Sequence, residues 1–160
     1  MLYPNIDQIF PLSAPTINSG YFNLTADVEI PATGADGVLI ANGGRFGGSS
    51  LFVQNGKLHY AQTDGYTPIL ISASKPLASG KNKLRVEFAP DSAQHAKVSL
   101  FANDEKIGEG EVPLKNNVAY FAYDEGFDVG RDLQSPVNEA YQSPFAFSGN
   151  LEKITINYRP

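Results

Sequence analysis

The chain has 160 residues, 42% of them hydrophobic and 18% charged, which excludes a disordered segment and suffices for one cored domain. With no cysteine it can hold no disulfide, thiolate metal site or cysteine nucleophile. Its formal charge is −5, and residues 104–139 carry nine acids against three bases, which argues against the clustered Lys and Arg that nucleic acid requires.

The chain opens Met1-Leu-Tyr-Pro-Asn-Ile-Asp-Gln, without the basic start and apolar core of a secretory signal. No apolar run approaches the ~20 residues of a membrane span. The expectation is a cytoplasmic protein, or a mature or excised chain for which cytoplasm and periplasm both stand. Residues 1–20 contain Pro4, Pro11 and Pro15 and little periodicity. They are expected to form an extended lead-in packed on a domain spanning residues 21–160.

The first strand is predicted from Phe22 to Ile30. Phe22, Leu24, Ala26, Val28 and Ile30 share one face, and Asn23, Thr25, Asp27 and Glu29 share the other. Gly37 to Asn42 is apolar on both faces, the mark of a central strand. Ser50 to Gln54 and Lys57 to Gln62 flank Asn55-Gly56, a strong signal for a two-residue hairpin. Thr67 to Ser72 and Lys83 to Phe88 follow as strands. Lys97 to Ala102 and Glu105 to Glu111 form a second hairpin about Asn103-Asp104. Val118 to Tyr123 is predicted as a further apolar strand. In the last one, Ile154, Ile156 and Tyr158 alternate with Thr155 and Asn157, and Leu151 is out of phase with them. A bulge between Gly149 and Lys153 restores the phase. About ten or eleven strands with no helical period predict an all-β, two-sheet antiparallel jelly-roll sandwich.

Few residues suggest chemistry. Asn42-Gly-Gly-Arg-Phe-Gly-Gly-Ser49 lacks the Lys of a P-loop and lies between strands. It reads as a tight connection whose glycines take positive φ, with Arg45 and Phe46 as contacts for a partner or anion. Tyr60, Tyr66, Tyr123 and Tyr141 are candidates for stacking on sugar rings, against the plainer reading of core or rim residues. His59 and His95 fit no catalytic or metal-binding spacing. Paired carboxylates on one strand face, as glycoside hydrolysis needs, are absent. Asp124, Asp128 and Asp132 recur every four residues in a Gly-rich loop and are candidate calcium ligands. The competing reading is an acidic corner in which Asp128 or Asp132 accepts backbone N–H groups or pairs with Arg131, Arg45 or Lys115.

Several segments together resemble the C-terminal β-sandwich of a group of bacterial arylsulfatases. They are Leu24-Thr-Ala-Asp-Val-Glu-Ile-Pro, Gly37-Val-Leu-Ile-Ala-Asn-Gly-Gly-Arg-Phe-Gly-Gly, Asn55-Gly-Lys-Leu-His-Tyr, Lys83-Leu-Arg-Val-Glu-Phe, Phe127-Asp-Val-Gly-Arg-Asp, Ser135-Pro-Val and Phe147-Ser-Gly-Asn-Leu-Glu-Lys-Ile-Thr-Ile. The last also resembles the closing strand of laminin-G-like and concanavalin-like jelly rolls. Gln134 stands where the arylsulfatase pattern has a second glycine.

The resemblance implies a non-catalytic accessory or interaction domain whose partner is a sulfatase catalytic domain or another protein. The alternative is a free-standing glycan-binding module. Sulfatases carry a formylglycine, formed in Cys/Ser-x-Pro-x-Arg, and a divalent metal on Asp and Asn in a separate α/β domain. This chain has no such motif, so no catalytic residue carries over and no cofactor is expected. Sulfuric ester hydrolysis is expected only of a larger parent chain.

Overall fold

The computed structural model describes residues 1–10, 13–17, 20–114 and 125–159. The described strands, in chain order, are β1 (Ile6–Ile9), β2 (Phe22–Ile30), β3 (Gly37–Gly44), β4 (Gly47–Gln54), β5 (Lys57–Thr63), β6 (Ile69–Ser72), β7 (Gly80–Pro90), β8 (His95–Ala102), β9 (Glu105–Pro113), β10 (Phe127–Val129) and β11 (Asn150–Tyr158). They form two antiparallel sheets, β1-β10-β3-β4-β5-β6 and β11-β2-β7-β8-β9. The predicted strand Val118 to Tyr123 lies outside the described residues.

Period-2 alternation builds the five-stranded sheet. Phe22, Leu24, Ala26, Val28 and Ile30 of β2 are buried, and they pair in register with β7, where Leu84, Val86 and Phe88 are buried beside them. Phe22 stacks on Phe88 with centroids 5.0 Å apart. Each of the larger side chains among them, Ala26 apart, contributes roughly 1.5–3 kcal/mol on leaving water, before ordering costs. The expected bulge in β11 is present: the register slips between Leu151 and Lys153, and both Leu151 and Ile154 reach the core. Two hairpins turn where expected, with positive φ at Asn55 (52°) and Gly56 (71°), and at Asn103 (48°) and Asp104 (69°). Positive φ at both central residues is what a turn matched to strand twist demands.

Two strands were hidden in the sequence. Residues of the expected lead-in form β1, which pairs with β10, and Leu2 bridges Ile154 on the other sheet. The N-terminal arm thereby joins an edge of each sheet. β10 opens the stretch that reads from the sequence as an acidic loop.

The central strands β3, β4 and β5 of the six-stranded sheet are covered on both faces. Their inner face packs on the other sheet. On their outer face, Val38, Ala41, Phe52 and Ala61 meet Val137 and Tyr141, with Ala140 and Phe145 packed around them. The strap formed by residues 131–146 makes this second core. It is tied down by Gln54 Nε2 donating to Ala140 O at 2.8 Å and by Val38 N donating to Phe145 O at 3.0 Å.

Candidate functional site

Registers place several loops at one end of the six-stranded sheet. Ile9 faces Phe127, Phe127 faces Asn42, and Gly48 faces Thr63. That end therefore gathers Phe10, the β3–β4 turn and the β5–β6 loop. Strands β3 and β4 pair as far as Gly44 and Gly47, so the connection is only Arg45-Phe46. This corrects the expected longer loop with several positive-φ glycines. Of the four glycines there, only Gly43 has positive φ, at 75°. Gly44 and Gly48 instead permit close approach: a Cβ on Gly44 would lie 2.2 Å from Glu125 Oε2, and one on Gly48 2.4 Å from Asn42 O.

The turn is clamped from both sides. Arg45 N donates to Ser135 Oγ at 2.9 Å, Ser135 N donates to Glu125 Oε2 at 2.8 Å, and the Ser135 hydroxyl donates to Glu125 Oε1. Gly43 N donates to Gly126 O at 3.1 Å. On the other side, Tyr66 N and Thr67 N donate to Asp64 Oδ1 at 3.0 and 2.7 Å. Gly65, with φ of 86°, leaves room for Phe46, whose carbonyl oxygen would be 2.8 Å from a Cβ there. The backbone held in this way presents the exposed rings of Phe46 and Tyr66, and Phe10 stands exposed at the same end. Phe10 is 66% exposed, Phe46 68% and Tyr66 91%.

Arg45 is exposed beside Phe46. The other arginines are engaged: Arg85 pairs with Glu87 and lies over Phe101, Arg131 pairs with Asp7, and Arg159 lies over Tyr21. Arg45 has no ion-pair partner among the described residues.

The other candidates fall elsewhere. Tyr60 is buried and donates to Gln62 Oε1 at 3.0 Å, and burial pushes its pKa up. Tyr141 is buried in the second core, stacks on Phe145, and donates to Asp132 Oδ2 at 2.6 Å. Neither can serve as a platform for sugar, which corrects the expectation for both. Tyr123 lies outside the described residues. His59 stacks on Phe52, with Nδ1 2.9 Å from Ser72 Oγ and Nε2 3.1 Å from Gln54 O. Burial pushes its pKa down.

In the acidic stretch, Asp128 is buried and accepts Gln8 N at 2.6 Å and Leu133 N at 3.2 Å. Asp132 is 1% exposed. Burial, with Asp128 and Glu125 adding repulsion, raises its pKa to about 6 against the opposing hydrogen bond from Tyr141. Of the expected alternatives, the one found is Asp128 accepting backbone N–H groups, while Arg131 turns away to Asp7 and Lys115 lies outside the described residues. Asp124 lies outside the described residues. Among the described residues no three His, Asp or Glu side chains come together as a metal site.

Sequence reasoning missed Phe10 and the strap. Nothing in the local pattern marks Phe10. The strap had a signal: Gly37 to Asn42, apolar on both faces, required a cover on its outer side.

No family model and no curated protein matches the chain. Among solved structures, the mouse laminin α1 chain, domains LG4-5, superposes with a TM-score of 0.65 at 12% identity. The match covers 98% of this chain and 40% of that one. The sandwich is laminin-G-like. At that identity the likeness shows the fold, and the expected jelly-roll class agrees with it.

Proposed function

We propose that this laminin-G-like sandwich is a non-catalytic interaction domain. It docks a protein partner through the rim formed by Arg45, Phe46 and Tyr66. The observation that carries this reading is the exposure of aromatic rings on a backbone that glycines, Glu125, Ser135 and Asp64 hold rigid. Aromatic residues and arginine are the side chains enriched in interface hot spots. Prior ordering of their backbone lowers the entropy lost on association. The sequence segments resembling the C-terminal sandwich of bacterial arylsulfatases support a sulfatase catalytic domain as the partner class.

Tyr66 also favours a second reading, a glycan-binding module, because its ring is open enough to stack on a sugar face. Photocrosslinking separates the two. Benzoylphenylalanine at position 46 or 66 in the native cells should give a discrete protein adduct, and the same group at Lys57, at the opposite end, should not. Equal labelling from position 57, or none from the rim, removes the docking proposal. Specific signals on an array of plain and sulfated oligosaccharides, lost in Tyr66→Ala, would install the glycan reading instead.

A further inference from the structure

We infer that the segment this rim accepts carries a carboxylate set among apolar groups, and that Arg45 is the residue that reads it. The inference rests on the rim being the contact surface, and it adds the chemistry of what binds there. An exposed guanidinium with no ion-pair partner among the described residues can form two parallel hydrogen bonds to one carboxylate. Phe46 adjoins it in sequence, and Gly65, beside Tyr66, packs on the Phe46 carbonyl. Phe46 and Tyr66 are both exposed at this same rim, so apolar groups next to an anion bound at Arg45 find aromatic surface within it. The structural effort at this turn also serves the cation. Ser135 fixes the amide nitrogen of Arg45 itself, and Glu125 fixes Ser135.

Charge sets the partner class. Glu125 lies beside the turn, and the whole chain is at −5. A sulfated glycan chain or an anionic membrane surface needs several neighbouring Lys or Arg. Arg45 is the one basic residue in the described segments 42–49, 62–67 and 125–126, which suits a single carboxylate on a protein and disfavours a polyanion.

Small aryl probes test this by amide and guanidinium NMR on the labelled chain at constant ionic strength. Phenylacetate, 2-phenylethanol and 2-phenylethylammonium present the same ring with a negative, neutral or positive end. Phenylacetate should shift the signals of Arg45, Phe46, Gly47 and Tyr66 saturably. It should bind about threefold more tightly than the alcohol, the increment of an exposed ion pair, with the ammonium weakest. Arg45→Gln should erase that ranking without altering the melting temperature. If all three probes shift the rim equally, the carboxylate claim is wrong and the docking rim stands. If none moves a rim signal, both readings fall. If a sulfated disaccharide displaces phenylacetate and binds more tightly, the partner is a sulfated glycan and the inference is overturned.

Discussion

Asp132→Asn offers the sharpest test of how the strap is held. The carboxyl is 1% exposed and bonded by the Tyr141 hydroxyl at 2.6 Å, and burial raises its pKa from 3.8 to about 6. The folded state therefore favours the protonated form. The stability this provides is complete below about pH 3.8 and is lost as pH rises through about 6. A difference of roughly two units corresponds to at most ~3 kcal/mol between the ends of that window. Asparagine keeps an acceptor for the Tyr141 hydroxyl and carries no charge. Urea unfolding of both proteins at intervals from pH 4 to 7.5 measures the difference. Other carboxylates, such as Asp7 and Asp27, whose pKa values their cationic partners lower, titrate alike in both proteins and cancel. The variant should gain on the wild type by ~1–3 kcal/mol between pH 4 and pH 7.5. A difference that stays flat with pH, or a variant that loses ground at pH 7.5, refutes the buried neutral acid.

Further outcomes follow from the same geometry. Asp128→Ala strands the N–H groups of Gln8 and Leu133 and should cost about 1–3 kcal/mol by denaturant titration. With Asp128 buried and already satisfied by two backbone N–H groups, millimolar calcium should leave the wild-type melting curve in place; a rise of several degrees that Asp128→Ala abolishes would restore the calcium reading. Gly37→Ala sets a Cβ 2.2 Å from the backbone oxygen of Ala146 at a φ of 125°, and should cost roughly 3 kcal/mol, read as a lower urea midpoint. Phe46→Ser with Tyr66→Ser should change stability by less than about 0.5 kcal/mol, and a larger loss in calorimetry would mean that the rings serve the fold rather than a partner.

The parts of this protein legible in its sequence are those that neighbouring residues decide. β2 follows from alternation alone, because side chains of an extended chain must point in turn to opposite faces. Asn55-Gly56 and Asn103-Asp104 announce their turns because these residues tolerate positive φ. The slip at Leu151 shows as a break in phase. β1 and β10 were not legible. β10 spans only Phe127–Val129, and Gln8 in β1 has φ of 49°, so neither shows a period. Their pairing joins residues about 120 positions apart, a contact that only the closed sandwich makes. The candidate site divides in the same way. Arg45 and Phe46 stand out in a glycine-rich stretch, but Tyr60, Tyr66 and Tyr141 are the same side chain. Whether a phenol is buried on Gln62, open to solvent or holding Asp132 depends on what the remote chain lays over it. The doubly apolar Gly37 to Asn42 called for a cover on its outer side, but which residues supply that strap, and that the Glu125–Ser135 pair holds the Arg45 turn, only the tertiary structure shows. Local sterics wrote the strands and turns into the sequence, while the choice between core, latch and contact surface belonged to tertiary packing.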